Sequence, residues 1–460
     1  LILEKSKYTL KLIFFHKIHH PLKSSKNTSA LASFVTPFGL VVILTGLSYM
    51  LSMFFGERKF ESGIVHQTLS LFGFWQEGFF GLLGFTLQMI MILVFGYALA
   101  IFEPVNKVLR NVSKYPNDIL SGALLTASVT MFAGILNWGF GLIIGALLSR
   151  FVHESLLEKR KGSNSSFLAA TGYLGMAVWH GGFSGSAPLT VAGSGHFLEE
   201  KIGLIPVTET LFSTFNLGMT GGLVIVFLLV SYFMAKIVKT DTEDCASLSL
   251  KPISSGSGAS LVRWAGFFML FVLVVGLFSN GKNGLELITL NWINFLLFSM
   301  TMVAFKTWDK FNFAVKEGLK ASSDILIQFP FYAGILGLLS SSGTLSELSF
   351  WIQNQTRAEY FPLITFLSSS MINLLIPSGG GQWAIQGPIL MESANFLSLD
   401  SSKLVMVFSY GDQLSNLLQP FWALPLLSIT GVSVRKLFPF CLIFFLSGFI
   451  FLGFGIWFLF

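Results

Sequence analysis

The sequence predicts an all-α polytopic membrane protein: an inverted-topology repeat of two five-element units, each with a re-entrant hairpin and a broken helix. Three observations predict it. Of 460 residues, 53% are hydrophobic and 11% charged, with 50 phenylalanines. A soluble chain of that size needs more charge to cover its surface. Many apolar blocks reach the roughly 20 residues that span a bilayer, and they are continuous rather than alternating, which excludes a β-barrel. Two blocks are anomalously long and stand at matching places in the two halves of the chain.

Taken in order, residues 1–33 are basic and lack a compact apolar core followed by a cleavage site, so they read as a cytoplasmic tail rather than a signal peptide. His16, His19 and His20 cluster there; such a group can bind metal, but it more often marks a membrane-surface segment, and no metal site is assigned. Apolar blocks follow at about 34–54, 75–101, 119–149, 165–191 and 208–235, which make the first unit, 34–235. A polar linker and one connecting span at about 264–279 occupy 236–286. The second unit, 287–460, holds blocks at about 287–305, 323–345, 361–391, 402–427 and 437–460. The two cysteines, Cys245 in a polar loop and Cys441 in a span, do not form a disulfide framework.

Blocks 119–149 and 361–391 carry "NWGFG" and "IPSGGGQWAIQGPI" within them. As one straight helix each would run about 46 Å against a hydrocarbon core of about 30 Å. Two arms of about 15 residues, roughly 22 Å each, fit better as a hairpin that turns back. Loop charge agrees. With both hairpins re-entrant and the N-terminus inside, 23 of the 29 Lys and Arg fall in inner segments and 6 in outer ones. The positive-inside rule then orients the chain, with the C-terminus outside. The net charge of +6 is thus an orientation signal and does not point to nucleic acid. The first unit starts inside and the second outside, an arrangement found in secondary transporters.

Non-helical backbone at membrane depth survives only when buried in protein or lining a wet cavity. The tips are Asn137–Gly141 and Asn373–Gln382. Glycine lets a ligand approach the backbone, and the arm leaving each tip presents free N–H groups and a positive dipole end, which suit a carboxylate. The arm entering ends in carbonyls, which suit a cation. About 45 residues after each hairpin comes a second interruption: "WHGGFSGSAPLT" at 179–190 and "GDQLSNLLQPFWALP" at 411–425. Both place Ser or Asn where a helix unwinds (Ser184, Ser186, Ser415, Asn416), and Pro188 and Pro420 free upstream carbonyls. Each also carries an ionisable residue, His180 or Asp412. Burial of such a group is expensive and marks it for function, although Asp412 near a span end, or His180 bonded to a carbonyl, would be merely structural.

Other classes fit less well. A nucleotide-binding loop needs Lys and Ser/Thr after its glycines, and "SGGGQWA" has neither. An intramembrane enzyme using His180 with Asp412, or Ser184 as nucleophile, would not require two inverted halves. A passive channel usually repeats around its pore.

The motifs "IPSGGGQWAIQGPI", "WHGGFSGSAPLTVA", "IQFPFYAGILG" at 327–337 and "GDQLSNLLQPFWALP" together resemble the short-chain fatty acid transporter family over nearly the whole chain, the N-terminal tail excepted. The resemblance implies a secondary carrier of the ion transporter superfamily, in the bacterial cytoplasmic membrane. It implies a small monocarboxylate substrate such as acetoacetate or butyrate, no enzymatic activity, and a homodimer of a scaffold and an elevator-like part. A di- or tricarboxylate is the alternative cargo. On this basis the expected carboxylate site is formed by Ser184, Ser186, Ser378, Gly379, Gly380, Gly381, Gln382 and Asn416, with the alkyl tail against Trp383 or Trp138. No Lys or Arg lies in the interior of a span, so the anion's charge must be met by dipoles and a co-transported ion. His180 and Asp412 are the proton candidates; Asn137 and Asn373 are the Na⁺ candidates. No cofactor beyond the coupling ion, H⁺ or Na⁺, is expected.

Overall fold

In the computed structural model the described residues are 37–56, 63–81, 83–193, 196, 198–240, 254, 260–279, 290–344, 347, 350–351, 357–375 and 379–460. His16, His19, His20, Cys245 and Ser378 lie outside them. Among the described residues every regular element is helical. The first half runs α1 (Pro37–Phe55), α2 (Gly63–Gly81), α3 (Leu83–Ile101), α4 (Glu103–Ser113), α5 (Ile119–Leu136), α6 (Trp138–Glu158), α7 (Ser165–Tyr173), α8 (Ser186–Ala192), α9 (Glu199–Ile202) and α10 (Thr214–Ile237). After α11 (Leu261–Ser279) come α12 (Leu290–Phe305), α13 (Trp308–Ala321), α14 (Ser323–Ser341), α15 (Phe361–Leu375), α16 (Gly379–Phe396), α17 (Ser401–Ser415), α18 (Pro420–Thr430) and α19 (Val434–Leu459). Side-chain caps fix several starts. Asp118 and Ser121 form a capping box on α5, while Asn137, Asn164, Ser213 and Asp400 cap α6, α7, α10 and α17.

The apolar blocks appear as helices near their expected positions, with three differences. Helix α2 occupies most of what reads as an outer loop, because His66, Gln67, Gln76 and Glu77 lower hydropathy without opposing a helix. The charged segments after α3 and α12 are the amphipathic helices α4 and α13 rather than loops. Three of the four hairpin arms are also longer than expected. They have 18 and 21 residues in α5 and α6, and 18 in α16, while α15 has the expected 15. Helix α6 continues past its apolar block through "RFVHESLLE". Both α5 and α6 are long and apolar enough to cross a membrane, so arm length does not argue for a turn at mid-membrane. What the packing shows is a tight helical hairpin.

That hairpin closes on glycine. A Cβ on Gly141 would stand 2.6 Å from the backbone of Gly134, and one on Gly134 would stand 2.5 Å from the carbonyl oxygen of Gly175. Thr130 donates its hydroxyl to the carbonyls of Gly141 (3.0 Å) and Gly172 (2.9 Å), which pins α7 against both arms. Elsewhere α14 packs on α1 and α2, while α3 packs on α12 and α13. The triplet α1–α3 thus meets the triplet α12–α14 in an exchanged pattern. Gly78 and Gly337 bring α2 and α14 to backbone contact, and Gly318 does the same for α13 against Val94.

Gly145 of α6 faces the carbonyl of Gly172 and the hydroxyl of Thr130, while Gly218 of α10 has nothing within 4 Å of its Cβ direction. Gly145→Val should cost about 3 kcal/mol or more through overpacking, and Gly218→Val about zero. Thermal unfolding of the two purified variants in detergent checks this.

Candidate functional site

Two helices break in the middle of the molecule, and the breaks touch. In the first, α7 gives way at Leu174 to 3₁₀ turns spanning Leu174–Ala177 and Trp179–Gly181, and the helix resumes at Ser186. In the second, α17 ends at Ser415, a 3₁₀ turn covers Asn416–Leu418, and Pro420 starts α18. Proline is suited to a first helical turn, where its missing N–H leaves no bond unmade. Tyr173 donates its hydroxyl to the carbonyl of Asn416 (2.9 Å), and the Asn416 amide reaches the carbonyl of Met176 (3.5 Å). The break in each half thus satisfies backbone carbonyls of the other.

The two ionisable residues meet there. Nε2 of His180 lies 3.2 Å from Oδ1 of Asp412, with side chains 0% and 1% exposed. The contact is close enough for an ion pair but lacks hydrogen-bond alignment, and among the described residues neither side chain's polar atoms have another hydrogen-bond partner. The backbone N–H of His180 donates to Oε1 of Gln413 (3.0 Å), which holds the first break onto α17. A buried charge costs several kcal/mol unless paired, so this couple is stable only when its net charge is small or met by a ligand.

Helix α16 begins against this couple. Its first turn contains Gly379, Gly380, Gly381 and Gln382. A Cβ on Gly379 would lie 2.6 Å from Nε2 of His180 and 3.2 Å from Oγ of Ser186, so any larger residue must push the imidazole aside. Gly380 has room, its nearest neighbour being Cβ of Ser186 at 4.0 Å. The positive end of an 18-residue helix thus abuts an imidazole and a serine hydroxyl.

A second knot forms at the end of α15. The Asn373 amide donates to the carbonyl of Asp412 (2.9 Å), Oγ of Ser415 (2.9 Å) and Oδ1 of Asn416 (2.7 Å), and Gln419 donates to the carbonyl of Asn373 (2.6 Å). Oδ1 of Asn373 and Oε1 of Gln419 are buried acceptors with no donor among the described residues.

The first tip is built differently. Oδ1 of Asn137 accepts from the N–H groups of Gly139 (3.0 Å) and Phe140 (3.2 Å), Oγ of Ser184 accepts from Trp138 (3.0 Å), and Gly141 bonds the carbonyl of Asn137. The donors that could have held an anion at the start of α6 are occupied. Asn137 and Ser184 act here as caps. The amide of Gln382 bonds the carbonyl of Ser369 (2.9 Å) and Gln386 (3.0 Å) between α15 and α16. Trp383 is fully buried in an apolar cluster with Ala187 and Phe408, whose ring lies 5.0 Å away, and it packs against Gly387. Trp138 contacts Trp179 and Trp422. An apolar crevice of about 360 Å³, lined among others by Gly96, Phe140, Ile143, Trp292 and Met300, lies against the first tip but includes neither His180, Asp412 nor Gly379.

Sequence reasoning passed over Gln413, Tyr173, Trp179, Asn216 and Tyr410. Asn216 donates to the carbonyls of Gly181 (3.0 Å) and Leu211 (2.7 Å) and accepts from Tyr410 (3.0 Å), joining α10 to the first break and to α17. Their available signal was a hydrogen-bonding side chain inside an otherwise apolar block.

Compared with known proteins, residues 23–459 match the family model described as Short chain fatty acid transporter. A protein of Escherichia coli (strain K12), provisionally named a short-chain fatty acid transporter, is 34% identical over 419 residues, 88% of this chain and 92% of its own. A protein of Haemophilus influenzae (strain ATCC 51907 / DSM 11121 / KW20 / Rd) with the same provisional name is 34% identical over 392 residues, 81% of this chain and 87% of its own. Among solved structures the chain is similar to MtrF of Neisseria gonorrhoeae, with TM-score 0.44 and 13% identity over 93% of this chain and 96% of that one. It is also similar to the YdaH transporter of Alcanivorax borkumensis, with TM-score 0.45 and 13% identity over 92% and 99%.

The capping geometry predicts a stability effect at the first tip. Asn137→Ala removes the acceptor of two N–H groups and should lower stability by about 1–2 kcal/mol, read as a lower melting temperature in detergent.

Proposed function

Because the chain belongs to the short-chain fatty acid transporter family, we propose that it carries a small monocarboxylate such as acetoacetate or butyrate across the bacterial cytoplasmic membrane in symport with a proton. The family is one of transporters, and the apolar helices make the chain a multi-pass membrane protein. The observation that carries the finer reading is the buried His180–Asp412 couple set against the first turn of α16.

In this reading the substrate carboxylate docks at the start of α16, near Gly379, Gly380 and the hydroxyl of Ser186. It brings a second negative charge close to Asp412. Two unit charges about 6 Å apart at an effective dielectric near 20 repel by about 3 kcal/mol. A proton on the couple relieves that repulsion, so proton and anion each favour the other's binding. The imidazole then holds the proton between the two carboxylates. The pair crosses with no net charge, as a route without a fixed Lys or Arg requires. A di- or tricarboxylate would bring further charge that this site does not match. The packing of α1–α3 against α12–α14 supports the inverted repeat, and the bias of basic residues supports an inner N-terminus and an outer C-terminus. The homodimer belongs to the same reading and rests on the family resemblance.

A second reading, Na⁺ coupling, is favoured by one observation: the orphaned oxygens Oδ1 of Asn373 and Oε1 of Gln419, acceptors only, beside the carboxylate-bearing break.

Uptake by proteoliposomes separates them. An imposed proton gradient should drive butyrate accumulation, and a sodium gradient alone should not. Asp412→Asn should lose proton-driven accumulation by about tenfold or more while exchange of labelled for unlabelled butyrate continues. If that variant still accumulates butyrate on a proton gradient, Asp412 is not the proton site. Gly379→Ala, whose Cβ displaces His180, should cut uptake by about tenfold, whereas Gly380→Ala should stay within about twofold.

A further inference from the structure

From His180 an unbroken run of aromatic rings leads away from the start of α16. The ring of Trp179 lies 3.7 Å from that of His180, centroid to centroid. Trp138, the first residue of α6, stands 6.3 Å from Trp179 and 5.0 Å from Trp422 of α18. Trp422 contacts Phe421 at 5.0 Å, which stacks on Phe329 at 3.8 Å and meets Tyr332 at 4.7 Å, both on α14. Three tryptophans from three separate elements thus converge beside the ionisable couple, each no more than 7% exposed.

One of them carries an orphan donor. The indole N–H of Trp179 is buried and has no acceptor among the described residues. A buried polar group left unmet is destabilising, and indole N–H groups usually find a partner. The donor sits on the residue adjoining His180, where the proposed site would bring a carboxylate.

Resting on the monocarboxylate reading above, we propose that Trp179 is a substrate-binding residue, donating its indole N–H to the carboxylate, and that Trp138 and Trp422 form the wall that limits acyl chain length. The two roles follow from position. Trp179 adjoins the polar end of the site, and its ring leads to the Trp138–Trp422 contact. A chain extending from the carboxylate along Trp179 would reach the Trp138–Trp422 pair, whose rings meet each other at 70°. Each further methylene must then displace a packed indole. A methylene that does not fit an apolar pocket changes discrimination by about 10–200-fold, enough for one pair of rings to separate short acids from medium ones. Trp383 takes no part, being enclosed with Phe408 in the other cluster.

The test uses the full-length carrier in proteoliposomes, with labelled butyrate in counterflow and unlabelled C2 to C8 acids as competitors. Trp179→Phe keeps a ring but removes the N–H. It should weaken acetate, butyrate and hexanoate alike, by about 5–10-fold, with their ranking unchanged. Trp422→Ala should improve octanoate relative to butyrate by about tenfold or more. Trp422→Phe, which preserves an aromatic contact, should move the ranking the same way by less, and it serves if the alanine variant melts too low to assay. Unchanged ranking in both Trp422 variants, or Trp179→Phe indistinguishable from wild type, overturns the proposal. A wild-type carrier that exchanges none of these acids overturns the monocarboxylate reading itself, and the proposal with it. Wild-type exchange with unmoved variants overturns the proposal alone.

Discussion

A carboxylate and an imidazole, 3.2 Å apart and closed off from solvent, set the conditions that the rest of the molecule meets. Asp412 belongs to the last turn of α17 and His180 to a 3₁₀ turn in the other half, so both helices must be broken or ending where they meet. Breaking a helix inside apolar surroundings exposes carbonyls that cost free energy unless bonded. The structure meets that cost by crossing the breaks. Tyr173 and Asn416 reach over to carbonyls of the opposite interruption, and Asn373 ties α15 to α17. Holding the couple is the common purpose of residues that otherwise look like scattered polar intrusions.

The two hairpins share a plan but divide the work. At the first tip the helix start is sealed by Asn137 and Ser184, and the arms are locked by glycine contact. At the second, the start of α16 abuts a titratable ring, and the arms are joined through side-chain amide hydrogen bonds of Gln382 and Gln386 to Ser369 and Ser368. On the proposed function the first tip serves structure and the second recognition, a division that the matching sequence motifs do not disclose.

Much of the helical framework was legible because hydropathy reports it directly: a block such as 437–460 has only one fate in a bilayer, and it is α19. Helices α2, α4 and α13 were hidden because their charges lower hydropathy while leaving helix propensity intact. Within the site, His180 and Asp412 stood out singly as expensive groups in apolar runs. Their pairing depends on how two breaks cross, which no local pattern encodes. Asn137 looked like a ligand because an amide in an apolar run serves equally well as a cap. Trp383 looked like a site residue because it follows the glycines, and the structure encloses it with Phe408 in an apolar cluster.

The distribution of fixed charge tells how the site can hold an anion and still release it. Arg150 lies buried within α6, a helix long and apolar enough to cross a membrane, contrary to the expectation that no Lys or Arg stands inside a span. Its Nε meets Oε1 of Glu154 at 2.8 Å, and another nitrogen meets the carbonyl of Ile429 at 3.0 Å, at the end of α18. Arg110 joins the same glutamate at 3.1 Å from α4. The positive charge that one glutamate leaves over meets the C-terminal end of α18, and the network holds α4, α6 and α18 together. A bidentate arginine at the site would bind a carboxylate strongly and return it slowly. Under the proposed symport, a helix start, an indole N–H and a proton that comes and goes would bind it only while the proton is present, and release would follow when the proton leaves. On that proposal coupling and turnover share one physical cause, the absence of a permanent countercharge where the substrate docks.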